Sequence, residues 1–247
     1  MEGKSMMRKV FNLVMLAILL FSGYQIINYW VENNHNKTIL SDVQTVYQQR
    51  KNEPHDANQL RPAFVELQKK NPDMIGWISI EGTEVDYPIL QSKDNEYYLK
   101  HNYQSEVARA GSIFKDYRNQ SETEKNTIVY GHNMKDGSMF ASINNYLNPD
   151  FYKEHPTFEY ETETKSYTVE VFAAYETTTD FYYIETNFQE PGSFTTYLDS
   201  VKSKSIVTTN AEVSENDQIL TLSTCDSGLD YGKGRFVVQG KLVEKST

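Results

Sequence analysis

Downstream of Pro72 the chain breaks into eight short β-rich runs: GWISI, VDYPILQ, GSIFKDY, NTIVYGH, TFEYET, SYTVEVFAAYE, QILTLSTC and RFVVQGKLV. Turn signals separate them, including EGT, NPD and the glycines of DSGLDYGKG. Runs of this length, rich in β-branched and aromatic residues, suit a pleated and half-buried surface. Many such runs in close succession predict a barrel or sandwich. Helical patterning interrupts them at Ser138–Tyr146 and at Ser193–Ser203. A chain of 247 residues with 38% hydrophobic content accommodates one such domain plus appendages.

The N-terminus follows another rule. Lys4, Arg8 and Lys9 precede VFNLVMLAILLFSGYQIINYWV, and no charge falls between Val10 and Val31. As a helix that stretch reaches about 33 Å, enough to cross a bilayer core. Tyr29 and Trp30 stand at its far end, where aromatic rings favour the interface. A cleaved signal peptide is the competing reading, since Ser22-Gly23 offers small residues. The apolar segment continues through Ile26, Ile27 and Trp30 without an A-x-A pattern, which favours an uncleaved anchor. The basic residues lie before the span and Glu32 after it, so the expected topology has a cytoplasmic N-terminus and an extracellular bulk.

From Glu32 to Asn71 the sequence is polar and helix-prone. Ile39, Val43 and Val46/Tyr47 share one helical face, as do Leu60, Phe64 and Leu67. Pro62 fits only in a first turn. This region reads either as a solvated stalk or as helices packed on the domain. The expected organisation is residues 1–9 as a cytoplasmic N-terminus, 10–31 as a transmembrane anchor, 32–72 as N-terminal helices and 73–247 as the globular domain. The net charge of −10 argues against a nucleic-acid surface. No His/Cys spacing suits a metal and no glycine-rich phosphate loop occurs, so neither cofactor nor metal is expected. A single cysteine excludes an internal disulfide.

That cysteine, Cys225, closes TLSTC. It is either a packed core thiol or a nucleophile. Alternation puts Leu220, Leu222 and Thr224 on one strand face and Ile219, Thr221, Ser223 and Cys225 on the other, which favours the nucleophile. If the last two strands pair as a hairpin, Arg235 returns beside Cys225. A guanidinium there suits a thiolate or an oxyanion. Of the five histidines, His35 and His55 precede the β region, and His101 and His155 sit in polar, turn-like stretches. His132 instead follows TIVYG at the exit of an apolar strand. The order His, Cys, Arg excludes papain-like enzymes, because no histidine follows Cys225, and caspase signatures are absent.

TLSTC, an Arg opening the last strand and YGHN upstream together resemble the sortases, cysteine transpeptidases of Gram-positive surfaces. IGWISIEGTEVDYPILQSKDNEYYL, GSIFKDYRN and NTIVYGHNM resemble class B in particular, and the resemblance runs from about Asp73 to Val243. It implies a closed eight-stranded β-barrel, mainly β, with N-terminal helices and a helix before the cysteine strand. It further implies Cys225 as nucleophile, His132 as general acid then base, and Arg235 as oxyanion and substrate stabiliser. The implied partners are surface proteins with a C-terminal sorting motif of the NPQTN type and a peptidoglycan precursor amine. The reaction would pass through a thioacyl enzyme. Tyr183, Ile184, Ser223 and Thr179 are the implied groove residues, although in a chain with 18 tyrosines a half-buried surface ring is the plainer reading of any one of them.

Two other readings remain open from the residues themselves. An L,D-transpeptidase also uses Cys, His and Arg, but its cysteine segment has His and Gly immediately before the thiol, which TLSTCDSG lacks. A non-catalytic surface barrel with a packed Cys225 is the second. Asp226 complicates activation in either enzyme reading, because an adjacent carboxylate disfavours the thiolate.

Overall fold

The computed structural model describes the backbone of residues 2–56, 59–226 and 233–245, and the side chains of the same residues except 2–5, 225 and 226. Two compact units emerge, Met1–Ser41 and Asp42–Thr247. The first unit is formed by helix α1 (Glu2–Arg50), whose last residues belong to the second. Between Val10 and Val31 its apolar side chains are exposed nearly throughout, and the helix is long and apolar enough to cross a membrane.

In the second unit all eight β-rich runs form strands: β1 (Met74–Ser79), β2 (Asp86–Leu90), β3 (Ile113–Lys115), β4 (Asn126–Tyr130), β5 (Thr157–Thr162), β6 (Ser166–Thr178), β7 (Ile219–Asp226) and β8 (Gly234–Glu244). They close into a barrel in the order β1-β2-β3-β4-β7-β8-β6-β5. The pairs β2–β3 and β4–β7 are parallel and the others antiparallel. Val129, Leu222 and Val238 form one rung across three strands and are buried. The inward half of the β7 alternation is therefore as expected.

The outward half of the strand is covered as well. Thr221 and Ser223 are also buried. The cover is helix α4 (Ser193–Lys204) together with the segment that follows β6. Phe194, Tyr197, Leu198 and Val201 recur at helical spacing and pack with Ile219, Tyr183 and Val237. Each such side chain stabilises the docking by roughly 1.5–3 kcal/mol.

The expected helix over Ser138–Tyr146 is a 3-10 helix, Ala141–Leu147. NPD, taken from the sequence as a turn, instead opens helix α3 (Pro149–Glu154). Asn148 caps it by accepting from the Asp150 amide, and Pro149 occupies the first turn, where its missing N–H costs nothing. Helix α2 (Pro62–Gln68) likewise carries its proline in the first turn. Residues 42–50 pack on the barrel. The Tyr47 ring stacks on Trp77 at 3.8 Å and its hydroxyl donates to Glu161 at 2.6 Å. Trp77 Nε1 in turn donates to Asp86 at 2.7 Å.

Beneath α4 lies a buried polar network. The Gln239 side-chain amide donates to Tyr197 Oη at 2.6 Å and to Thr221 Oγ1 at 2.9 Å, and its carbonyl accepts from Tyr175 Oη at 3.2 Å. Thr221 donates to Asn126 at 2.7 Å, and Tyr197 donates to the Tyr183 carbonyl at 2.6 Å. A satisfied network of this kind is costly to break, because every orphaned partner stays out of water. Gln239→Leu should therefore lower stability by roughly 2–5 kcal/mol in urea unfolding. A loss below about 1 kcal/mol would mean the network is not acting as a unit.

Candidate active site

The candidate site forms where β4 and β7 end side by side. Their parallel pairing sets Tyr130 beside Ser223, and the Gly131 amide donates to the Ser223 carbonyl at 3.2 Å. His132 and Cys225 each lie two residues beyond the Tyr130–Ser223 pair. In the antiparallel β7–β8 pair, Cys225 stands opposite Arg235, as expected of the hairpin. The side chains of Cys225 and Asp226 lie outside the described residues.

His132 is held from two sides. Gly131 leaves room for Phe140, whose ring a Cβ at that position would meet at 2.8 Å. The chain reverses after His132, and the Phe140 amide donates to the His132 carbonyl at 2.9 Å. Met139 completes the reversal at φ 56°, a left-handed conformation that costs a non-glycine residue about 1–3 kcal/mol and is typical of constrained sites. The imidazole is half-buried, with Nε2 2.8 Å from the Leu99 carbonyl. A carbonyl only accepts, so Nε2 carries the proton and Nδ1 is the basic nitrogen of the neutral ring.

A cavity of about 240 Å³ opens here, lined by His132, Ser223, Thr224 and Arg235, with Asn95, Leu99, Phe114 and Tyr130 around them. Its walls mix apolar surface with a few convergent polar groups, the usual character of a ligand site. Arg235 is half-buried and donates to the Gly234 carbonyl at 2.7 Å. The Thr224 hydroxyl is buried and has no hydrogen-bond partner among the described residues. Ser223 shares a 2.7 Å hydrogen bond with the buried Tyr183 hydroxyl. Of the four groove residues expected from the sequence, Ser223 lines the cavity and Tyr183 reaches it through that bond. Ile184 is half-buried beside the α4 cluster, and Thr179 is exposed; neither lines the cavity.

Sequence reading did not find Asn95, Leu99, Phe114 or Tyr130, because nothing local marks residues that meet only through the barrel. It also passed over Asp116 and Arg118, which stand behind the cavity. Asp116 is fully buried and accepts from Arg118, from Tyr130 Oη at 2.8 Å and from the Asn95 amide at 3.1 Å. Burial pushes the Asp116 carboxyl up, but the Arg118 and Tyr130 hydrogen bonds outweigh it and hold the group below its ordinary value. Burial and the neighbouring carboxylate raise the Tyr130 phenol well above its usual range, so it stays a donor. Of the two turn histidines, His101 stacks on Tyr97 at 4.0 Å and His155 lies against Phe151 at 4.5 Å, and neither lines the cavity. Among the described residues no group of three or more His, Cys, Asp or Glu could hold a metal ion.

A closed mixed barrel with these helical additions is the architecture of a class of cysteine transpeptidases, and comparison with known proteins agrees. Residues 78–243 match the sortase domain, and the chain belongs to the sortase family. It is 56% identical to Sortase B of Listeria monocytogenes over 246 residues, covering 99% of this chain and 100% of the relative. It is 35% identical to Sortase B of Staphylococcus aureus over 240 residues, covering 96% and 97%. The Staphylococcus aureus sortase B–substrate complex superposes with a TM-score of 0.81 at 35% identity, covering 87% of this chain and 100% of that one.

Asp116 gives the site an acid-sensitive support. Its folded-state value lies below the unfolded value of about 3.9, so its stabilisation is complete above that pH and is lost as the pH falls through the folded value. Asp116→Asn should therefore lower the urea midpoint at neutral pH and flatten its decline below about pH 4. An unchanged acid slope would remove Asp116 from the account.

Proposed function

We propose that this chain is a membrane-anchored class B sortase that cleaves an NPQTN-like sorting motif after its Thr and joins the new C-terminus to a peptidoglycan amine. The observation that carries this reading is the register: Cys225 opposite Arg235 in β7–β8, and His132 two residues past the parallel contact of β4 with β7. The substrate complex of the Staphylococcus aureus relative, at the same fold, adds support for a peptide cleft.

In the proposed reaction the Cys225 thiolate attacks the Thr carbonyl carbon, and Arg235 meets the charge that develops on its oxygen. An S–C bond forms as the C–N bond breaks, and the imidazolium of His132 gives its proton to the departing amine. The incoming amine then attacks the thioester, its surplus proton passes to neutral His132, and the thiolate leaves. Nδ1 is the nitrogen available for both transfers, because Nε2 is engaged with Leu99. Ser223, Tyr183, Ile184 and Thr179 are proposed to contact the motif.

The anchor is proposed from the exposed, charge-free helix over residues 10–31, which water would disfavour and a bilayer would satisfy. On this reading residues 1–9 are cytoplasmic, 32–72 lead to the barrel and 73–247 form the extracellular catalytic domain.

Incubation of the ectodomain with NPQTN and LPXTG peptides plus candidate amines, followed by mass spectrometry, tests the assignment. Cleavage after Thr, a thioacyl adduct on Cys225 and loss of both in Cys225→Ala are expected, with the variant still folded. Peptide cleavage surviving in Cys225→Ala would sink the reading. The proximity of Asp226 further predicts that only a minor fraction of enzyme carries the thiolate–imidazolium pair at neutral pH. A pH–rate profile should then show no thiol ionising below about pH 6, well under the ordinary cysteine value.

A further inference from the structure

The segment after β6 has no regular structure, yet three consecutive carbonyls in it are each held by a side chain from a different element. Tyr197 of α4 donates to the Tyr183 carbonyl at 2.6 Å, Arg118 to the Ile184 carbonyl at 3.1 Å and Asn126 of β4 to the Glu185 carbonyl at 2.9 Å. Two of these donors sit under the segment. Arg118 instead reaches it from the loop after β3. The same guanidinium donates to Tyr182 Oη at 2.9 Å, although the Tyr182 ring is 55% exposed and gains little from burial.

Arg118 also grips Asp116 with two nitrogens, Nε at 2.9 Å and Nη2, which it shares with Ile184, at 2.7 Å. Asp116 also accepts from Asn95, which belongs to the segment after β2 and lines the cavity, and from Tyr130 of β4. The Asn95 side-chain oxygen closes the circuit by accepting from the Tyr117 amide at 3.0 Å. One ion pair thus ties the segment after β2 to the segment after β6. On the proposed reading of the cleft they are its two flanks. Asn95 and Leu99 line the cavity, and the segment after β6 carries Thr179, Tyr183 and Ile184, proposed to contact the peptide although Thr179 and Ile184 lie outside the cavity itself.

We propose that Asp116 and Arg118 form a clasp that sets the spacing of these flanks, and that Arg118 is a positioning residue for the sorting peptide. The inference rests on the reading of this cleft as the peptide site. A guanidinium suits the task because its planar fork can hold a carboxylate and a loop together, whereas an ammonium is a point donor. The clasp acts on the walls and not on the thiol, so it governs how the peptide is held more than how bonds are broken.

Four variants test it: Arg118→Met, Arg118→Lys, Tyr182→Phe, and Asp116→Asn combined with Arg118→Met, which removes the buried charge along with its partner and guards against misfolding. The measurements are kcat and KM on an NPQTN peptide, the rate at which iodoacetamide alkylates Cys225, and hydrogen exchange across residues 180–187. Arg118→Met and the double variant should raise KM about tenfold, the scale of losing hydrogen bonds to a charged group, with faster exchange in that segment and an unchanged alkylation rate. Tyr182→Phe should raise KM less, and Arg118→Lys should recover only part of the loss.

Unchanged exchange in both Arg118→Met and the double variant overturns the clasp whatever the peptide does. Faster exchange with an unaltered KM overturns its role in binding. A fall in kcat and alkylation at constant KM overturns it as well, by moving Arg118 into the chemistry. If the unmodified enzyme fails to process the peptide, the reading of the cleft falls first, and the positioning role falls with it.

Discussion

The parallel pairing of β4 with β7 is the constraint on which the site depends. Parallel neighbours cannot be joined by a tight turn, so the chain must leave β4 and return by a long crossover before β7 can form. That crossover contains the 3-10 helix, α3, β5, β6, the segment after β6 and α4. It therefore supplies both the far side of the barrel and the outer cover of the cysteine strand. His132 sits where the crossover begins and Cys225 close to where β7 ends. The pairing that sets these two strand ends side by side is thus a property of the closed barrel.

Closing the barrel buries both faces of β7, which forces polar groups to find partners inside. Leu220 and Leu222 face the barrel core, while Thr221 and Ser223 lie under α4 and the segment after β6. The protein answers with Gln239, Asn126, Tyr197 and Tyr183, which satisfy the hydroxyls and reach outward to loop carbonyls. The rigidity of the cysteine strand and the position of the adjoining loop therefore share one physical origin. Asp116 and Arg118 continue the same logic on the opposite flank, with charged partners in place of neutral ones. Precise geometry near a reacting group generally needs such outer support.

The legible parts of this protein are those whose signal is local. Alternation and turn residues marked all eight strands, because a side-chain period of two is written in adjacent residues. The charge-free run over residues 10–31 and the amphipathic spacing of α4 are legible for the same reason. NPD misled because Pro after Asn opens a helix as readily as a turn, and only the continuing chain decides. The cover over the hydroxyl face of β7 was not legible, because alternation says which residues share a face and not what lies on it. Asp116 and Arg118 carried no local signal, since an Asp and an Arg two residues apart in a polar loop ordinarily read as solvated.

From its sequence alone, then, this chain determined its strands, its apolar N-terminal helix and the order His132, Cys225, Arg235, since short-range periodicity and residue chemistry suffice for these. The tertiary structure alone decided that Tyr130 meets Ser223, that Leu99 holds the His132 ring and that Arg118 joins Asp116 to the Ile184 carbonyl. Those contacts join residues far apart along the chain, and their geometry follows from the register and closure of the whole barrel, which no local stretch encodes.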